Sequence, residues 1–191
     1  MNTYRLHNPE LTLRAPEPED IDIMLAYEND EELWDTGSTT APYSRYQLKK
    51  YISESQNDLY ADLQLRLLIE TLSKQVAGII DLFQFDPRHR RAEVGIVIHP
   101  SFRRQGLARM ALQLLEAHCF QRLGIHQLYA YIRKDNTASI QLFQSCGYKV
   151  CGELQEWLYT GKGYKDVCIM QKMNTFTPIE GISSSESRNG K

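Results

Sequence analysis

Ser101-Phe102-Arg103-Arg104-Gln105-Gly106-Leu107-Ala108 joins an apolar run, Ala92-Glu93-Val94-Gly95-Ile96-Val97-Ile98, to a segment with apolar residues at Leu107, Met110, Ala111, Leu114 and Leu115. The second pattern has the i, i+3, i+4, i+7, i+8 spacing of one helix face. The unit therefore reads strand, loop, helix. The first turn of a helix leaves backbone N–H groups without intrahelical partners. These donors, with the positive end of the helix dipole, suit a phosphate or pyrophosphate. Gly106 lets the backbone approach such an anion closely, and small Ala108 keeps the next turn open. The centre of the chain reads as the cradle of a phosphorylated cofactor.

Upstream of this unit, Leu11–Arg14 is a short strand, and the 16–20 segment Pro-Glu-Pro-Glu-Asp opens a helix carrying Ile21, Met24, Leu25 and Tyr27. Ser44 caps a second helix with Tyr46, Leu48, Tyr51 and Ile52. Leu63, Leu65, Leu67 and Ile69 alternate with polar residues as in a half-buried strand, and residues 76–83 and 91–98 complete a three-strand meander. Downstream, residues 127–132 are a strand, 136–146 a helix stopped at Gly147, and 148–154 and 164–170 the last two strands. This order gives a mixed α/β domain round one central sheet.

The 191 residues, 42% hydrophobic and 24% charged, make one domain over 1–173 with a Ser/Gly-rich flexible tail over 174–191. A net charge of −2 argues against a nucleic-acid partner. No apolar run has the length of a signal peptide or a membrane span, so a cytoplasmic protein is expected. Cys119, Cys146, Cys151 and Cys168 form no C-x-x-C pair and no metal-ligand spacing, and neither do His89, His99 and His126; reduced thiols and no metal are expected.

Two motifs carry a resemblance. Arg103-x-x-Gly106-x-Ala108 resembles the Arg/Gln-x-x-Gly-x-Gly/Ala pyrophosphate loop of the GNAT N-acetyltransferases, and it lies between the right strand and the right helix. The segment from Asn136 through Ser139, Leu142 and Phe143 to Gly147-Tyr148 resembles that family's Asn-x-x-(Ser/Ala)-x-x-(Leu/Ile)-Tyr-x-x-x-Gly-Phe segment. The likeness covers roughly residues 10–173. It stands nearest the branch that holds spermidine acetyltransferases and ribosomal-protein N-terminal acetyltransferases, on Arg88-His89-Arg90-Arg91-Ala92-Glu93 and Gly152-Glu153-Leu154. It implies a single GNAT-type domain with a mixed, mostly antiparallel sheet flanked by helices, acetyl-CoA as cofactor and coenzyme A as product. The backbone of Ile96, Val97 and Ile98 would pair with the pantetheine arm as an added strand. Arg103, Arg104, Gln105, Gly106, Leu107, Ala108 and Arg109 would hold the pyrophosphate. Asn136, Ser139 and Phe143 would line the far side of the cofactor.

Acetyl transfer to an amine needs a neutral nucleophile, a donor to the thioester oxygen and a proton for the leaving thiolate. Glu93 is the base candidate: it lies on the strand face opposite Ala92, Val94 and Ile96, and partial burial raises a carboxyl pKa toward neutrality. The chain departs from the family at Phe143, where relatives carry tyrosine, and a phenyl ring cannot donate a proton. Ser139, one helical turn earlier, is the substitute acid or the holder of a water, with Tyr148 and Cys146 as alternatives. The acidic run Glu28, Asp30, Glu31, Glu32, Asp35 falls where the family forms a wall of the acceptor site, and Asp81 and Glu93 would extend it. Such a wall suits a polycation, so the acceptor is read as a polyamine such as spermidine or spermine. Acetylation of a protein N-terminus, and a non-catalytic acyl-CoA-binding module, are the alternatives. A homo-oligomer without membrane or nucleic-acid partners is expected.

Overall fold

Eight strands form one sheet in the computed structural model, which describes residues 6–30 and 41–175. They are β1 (Leu6–His7), β2 (Leu11–Arg14), β3 (Leu65–Thr71), β4 (Val76–Asp86), β5 (Arg91–Ile98), β6 (Gln127–Arg133), β7 (Lys149–Tyr159) and β8 (Tyr164–Met173). The spatial order is β1-β2-β3-β4-β5-β6-β8-β7. Every neighbouring pair is antiparallel except β5 and β6, which are parallel. The helices are α1 (Ile21–Glu28), α2 (Arg45–Glu54), α3 (Leu59–Asp62), α4 (Leu107–Ala117) and α5 (Thr137–Ser145).

Both faces of β3 and β4 are covered. On one, Leu67, Ile80, Leu82, Ala92 and Val94 pack with Leu107, Ala111 and Leu115 of α4 and Phe143 of α5. On the other, Leu68, Val76 and Ile79 pack with Met24 and Tyr27 of α1 and Leu48 of α2. This double cover corrects the expected half-buried strand: in β3, Leu68 and Glu70 are buried as well as Leu67 and Ile69. Leu63 is not in the strand at all. It ends α3 with a left-handed φ of 54° and is 49% exposed.

Local chemistry sets the helix ends. The Ser44 hydroxyl accepts from the Gln47 amide at 3.2 Å and the Gln47 side chain accepts from the Ser44 amide at 2.7 Å, a reciprocal cap on α2. At the entrance to α1, the buried Arg14 guanidinium donates to Asp20 at 2.7 and 2.8 Å and to Glu70 at 2.6 Å, tying β2, the helix start and β3 together. The α4 helix ends at Ala117 and continues as a π-helical turn, His118–Arg122. The proposed tail beyond residue 175 lies outside the described residues.

One irregularity of pairing creates the site. β5 runs with β4 along its length, as far as Ile98 opposite Gly78. It pairs with β6 only at Arg91–Gln127, Ala92–Leu128 and Glu93–Tyr129. β6 meanwhile follows β8 from Gln127 to Arg133. Beyond Glu93, β5 and β6 therefore part, and a wedge opens within the sheet.

Candidate active site

The edge of β5 that faces the wedge carries free backbone groups. The His99 amide donates to the Ala77 carbonyl at 2.9 Å, so the strand's alternation turns the polar groups of Val97 toward β4 and those of Ile96 and Ile98 toward the wedge. The Ile98 carbonyl accepts from Arg103 Nε at 3.1 Å. Of the three strand residues expected to pair with a cofactor arm, Ile96 and Ile98 thus present amides, and Val97 presents none.

At the end of this edge, Gly106 begins α4 with a φ of 78°. No side chain caps that helix, so the first-turn amides from Leu107 to Arg109 keep their donors directed outward. The Leu107 side chain is 7% exposed in the core, leaving only its amide for a ligand. Arg103, Arg104, Gln105 and Arg109 are exposed around this helix start. Gln105 is steadied by a 3.2 Å bond to the Ser101 carbonyl. A strand edge with spare amides, leading to an uncapped helix start ringed by arginines, fits the amide-bearing arm and diphosphate of coenzyme A.

On the sheet face opposite Ala92 and Val94 lies Glu93, flanked in register by Phe83 of β4 and Tyr129 of β6. Burial alone pushes its carboxyl up to about 7. The Phe83 ring lies over Gly95, where a β-carbon would sit 3.0 Å from it. Tyr129 and Tyr131 share this face, because Leu128, Ala130 and Ile132 point into the core on the other. Their rings meet edge to face at 5.7 Å, and Tyr131 stacks on Trp157 of β7 at 6.3 Å. These aromatic residues escaped the sequence reading, although the alternation of β6 already separates Tyr129 and Tyr131 from the core positions.

Two residues of the expected acidic wall, Glu28 and Asp81, are engaged by a cation of the protein itself. Arg66 of β3 donates to Asp81 at 2.8 and 2.9 Å and also bonds Glu28, with its guanidinium over the Tyr51 ring at 5.8 Å. Asp81 and Glu28 thus already hold a cation. Glu31, Glu32 and Asp35 lie outside the described residues.

The Asn136 side chain caps α5, accepting from the Ser139 amide at 3.1 Å, and Ser139 is half-buried in the first turn. Phe143 is 2% exposed, set edge to face against Tyr148 at 4.8 Å. It is a core ring, and any cofactor contact there is limited to its small exposed edge. Tyr148 and Cys146 are buried, which raises both groups away from easy proton release.

The family model described as "Acetyltransferase (GNAT) domain" matches residues 10–149. The spermidine N(1)-acetyltransferase of Vibrio cholerae is 26% identical over 161 residues, covering 84% of this chain and 91% of that protein. That of Escherichia coli K12 is 30% identical over 122 residues, covering 60% and 66%. The crystal structure of the Vibrio cholerae spermidine N-acetyltransferase in complex with CoA and spermine superposes with a TM-score of 0.77 at 26% identity, covering 87% of this chain and 97% of that one. The wedge, the uncapped helix start and the matched sequence agree: the chain belongs to the GNAT acetyltransferase family and is an acetyl-CoA-dependent N-acetyltransferase.

Proposed function

We propose that the protein acetylates a primary amine of a polyamine such as spermidine or spermine, with Glu93 as general base. The observation that carries this reading is a half-buried carboxyl poised at about 7, in register with the last β5–β6 pair where the wedge opens. The polyamine acceptor is supported by the spermidine acetyltransferases among the relatives.

Bound acetyl-CoA supplies an acyl carbon activated as a thioester. The chain supplies the rest. The Ile96 amide, fixed on the β5 edge, stabilises negative charge on the acyl oxygen. Glu93 accepts the amine proton, directly or through water, as the new C–N bond forms. Ser139, or a water it holds, returns a proton to sulfur as the C–S bond breaks, since Phe143 has none to give. Four free thiols, three of them buried, suit an enzyme of the reducing cytoplasm.

Thiol release from acetyl-CoA, followed with spermidine, spermine and a peptide beginning with Ser or Ala, tests the acceptor. Saturable turnover of the polyamines is expected. Turnover of the peptide alone contradicts the proposal.

A further inference from the structure

The second positive charge of such an acceptor needs a place once the first nitrogen is at Glu93. The acids on β4 and α1 are partly engaged, because Arg66 bonds both Asp81 and Glu28. The other side of Glu93 is aromatic. Tyr129 is its register partner, Tyr131 follows on the same face at 5.7 Å, and Trp157 lies beyond at 6.3 Å with its plane only 22° from that of Tyr131. Centroid spacings of 5.7 and 6.3 Å thus carry aromatic surface away from Glu93 along the same face. Tyr131 is 41% and Trp157 56% exposed, so ring surface is open to a ligand.

Trp157 is brought there by a break in strand pairing. The β7–β8 register shifts between Leu154 and Leu158, where Glu156 takes a φ of 49° and its amide donates to Asp166 Oδ1 at 2.9 Å. Bulges of this kind re-aim a side chain. The faces of tyrosine and tryptophan attract ammonium groups, and their flat surfaces also cover methylene chains.

We propose that Tyr131 and Trp157 form a cation–π subsite that carries the acceptor's second ammonium while its terminal amine meets Glu93. This rests on the polyamine reading above. It assigns to the aromatic pair the specificity for a polycation that the sequence had suggested for the acidic run.

The test is steady-state kinetics of Trp157→Leu and Tyr131→Leu with spermidine, beside Trp157→Phe. A rise in spermidine KM of about tenfold is expected in each leucine variant, with kcat and the KM for acetyl-CoA unchanged and with phenylalanine restoring most of the affinity. An unchanged spermidine KM in both leucine variants overturns the subsite. So does a loss confined to kcat or to acetyl-CoA affinity, which marks a structural role. Wild-type enzyme that turns over the peptide but no polyamine overturns the acceptor reading and the subsite with it. That failure shows in the parent protein, before any variant is made.

Discussion

A carboxyl group that burial lifts to about 7 is part ionised near neutral pH, which is where a general base must work. Glu93→Gln is expected to lower the rate by about 10²–10⁴-fold and to remove the acidic limb centred near pH 7; a retained limb in the pH–rate profile excludes Glu93 as the base. The same shift acts on stability. In the folded chain the group titrates near 7, against an ordinary value of 4.5. Its protonated form therefore adds stability below the ordinary value, and that contribution is lost as the pH rises through the folded value. Glu93→Gln should melt higher than the parent above neutrality while being less active, and an unchanged melting temperature there contradicts the buried-carboxyl account. Phe143 is a core ring at 2% exposure. Phe143→Ala should cost about 3–5 kcal/mol in urea unfolding, and a loss under about 1 kcal/mol would show the ring is not packed as described. Glu93 was legible in sequence because alternation along one strand fixes its face. Arg66 was not, because its partners Glu28 and Asp81 stand 38 and 15 residues away, and only the assembled sheet brings the three together.

At the scale of elements, the loop and helix α4 depend on the left-handed φ of 78° at Gly106. A β-carbon there meets nothing nearer than Met110 Cε at 3.9 Å, so the penalty of substitution is conformational, not steric. Gly106→Ala should destabilise by about 1–2 kcal/mol and weaken acetyl-CoA binding in calorimetry, whereas unchanged affinity argues against an anion cradle at this turn. The start of α1 depends on the Arg14 triad, whose members are all under 10% exposed. Arg14 holds the Asp20 and Glu70 carboxyls below their ordinary range. Their contribution is present above the ordinary carboxylate values and fades as the pH falls through the lowered ones. Arg14→Met, which removes the guanidinium from the buried Asp20 carboxylate and leaves Glu70 with Lys74 alone, should cost about 3–5 kcal/mol near pH 7 and less in acid, as read by denaturant unfolding at both pH values. An equal loss at both would contradict the ion-pair account. Strands and helices were legible where apolar periodicity ran for a turn or more, as in α4 and β5. The two-residue β1 and the four-residue α3 were too short to show a period, and the placing of β8 between β6 and β7 leaves no local mark. The bulge in β7 was equally silent, and with it the reach of Trp157.

For the whole molecule, function follows from where pairing stops. One sheet is continuous from β1 to β7, yet β5 and β6 share only three residue pairs before they separate. The free amides of Ile96 and Ile98, the start of α4 and the Glu93 face all meet at that opening. The motif around Gly106 pointed to the loop that begins α4, and the family likeness implied the strand edge. The cluster of Tyr129, Tyr131 and Trp157 on the Glu93 face emerged only from the three-dimensional arrangement. Residue-resolved amide hydrogen exchange, with and without saturating acetyl-CoA, tests the arrangement most directly. Slowed exchange at Ile96, Ile98 and the amides from Leu107 to Arg109 is the result this structure predicts. Unchanged exchange at those amides, with protection appearing elsewhere in the chain, would contradict it.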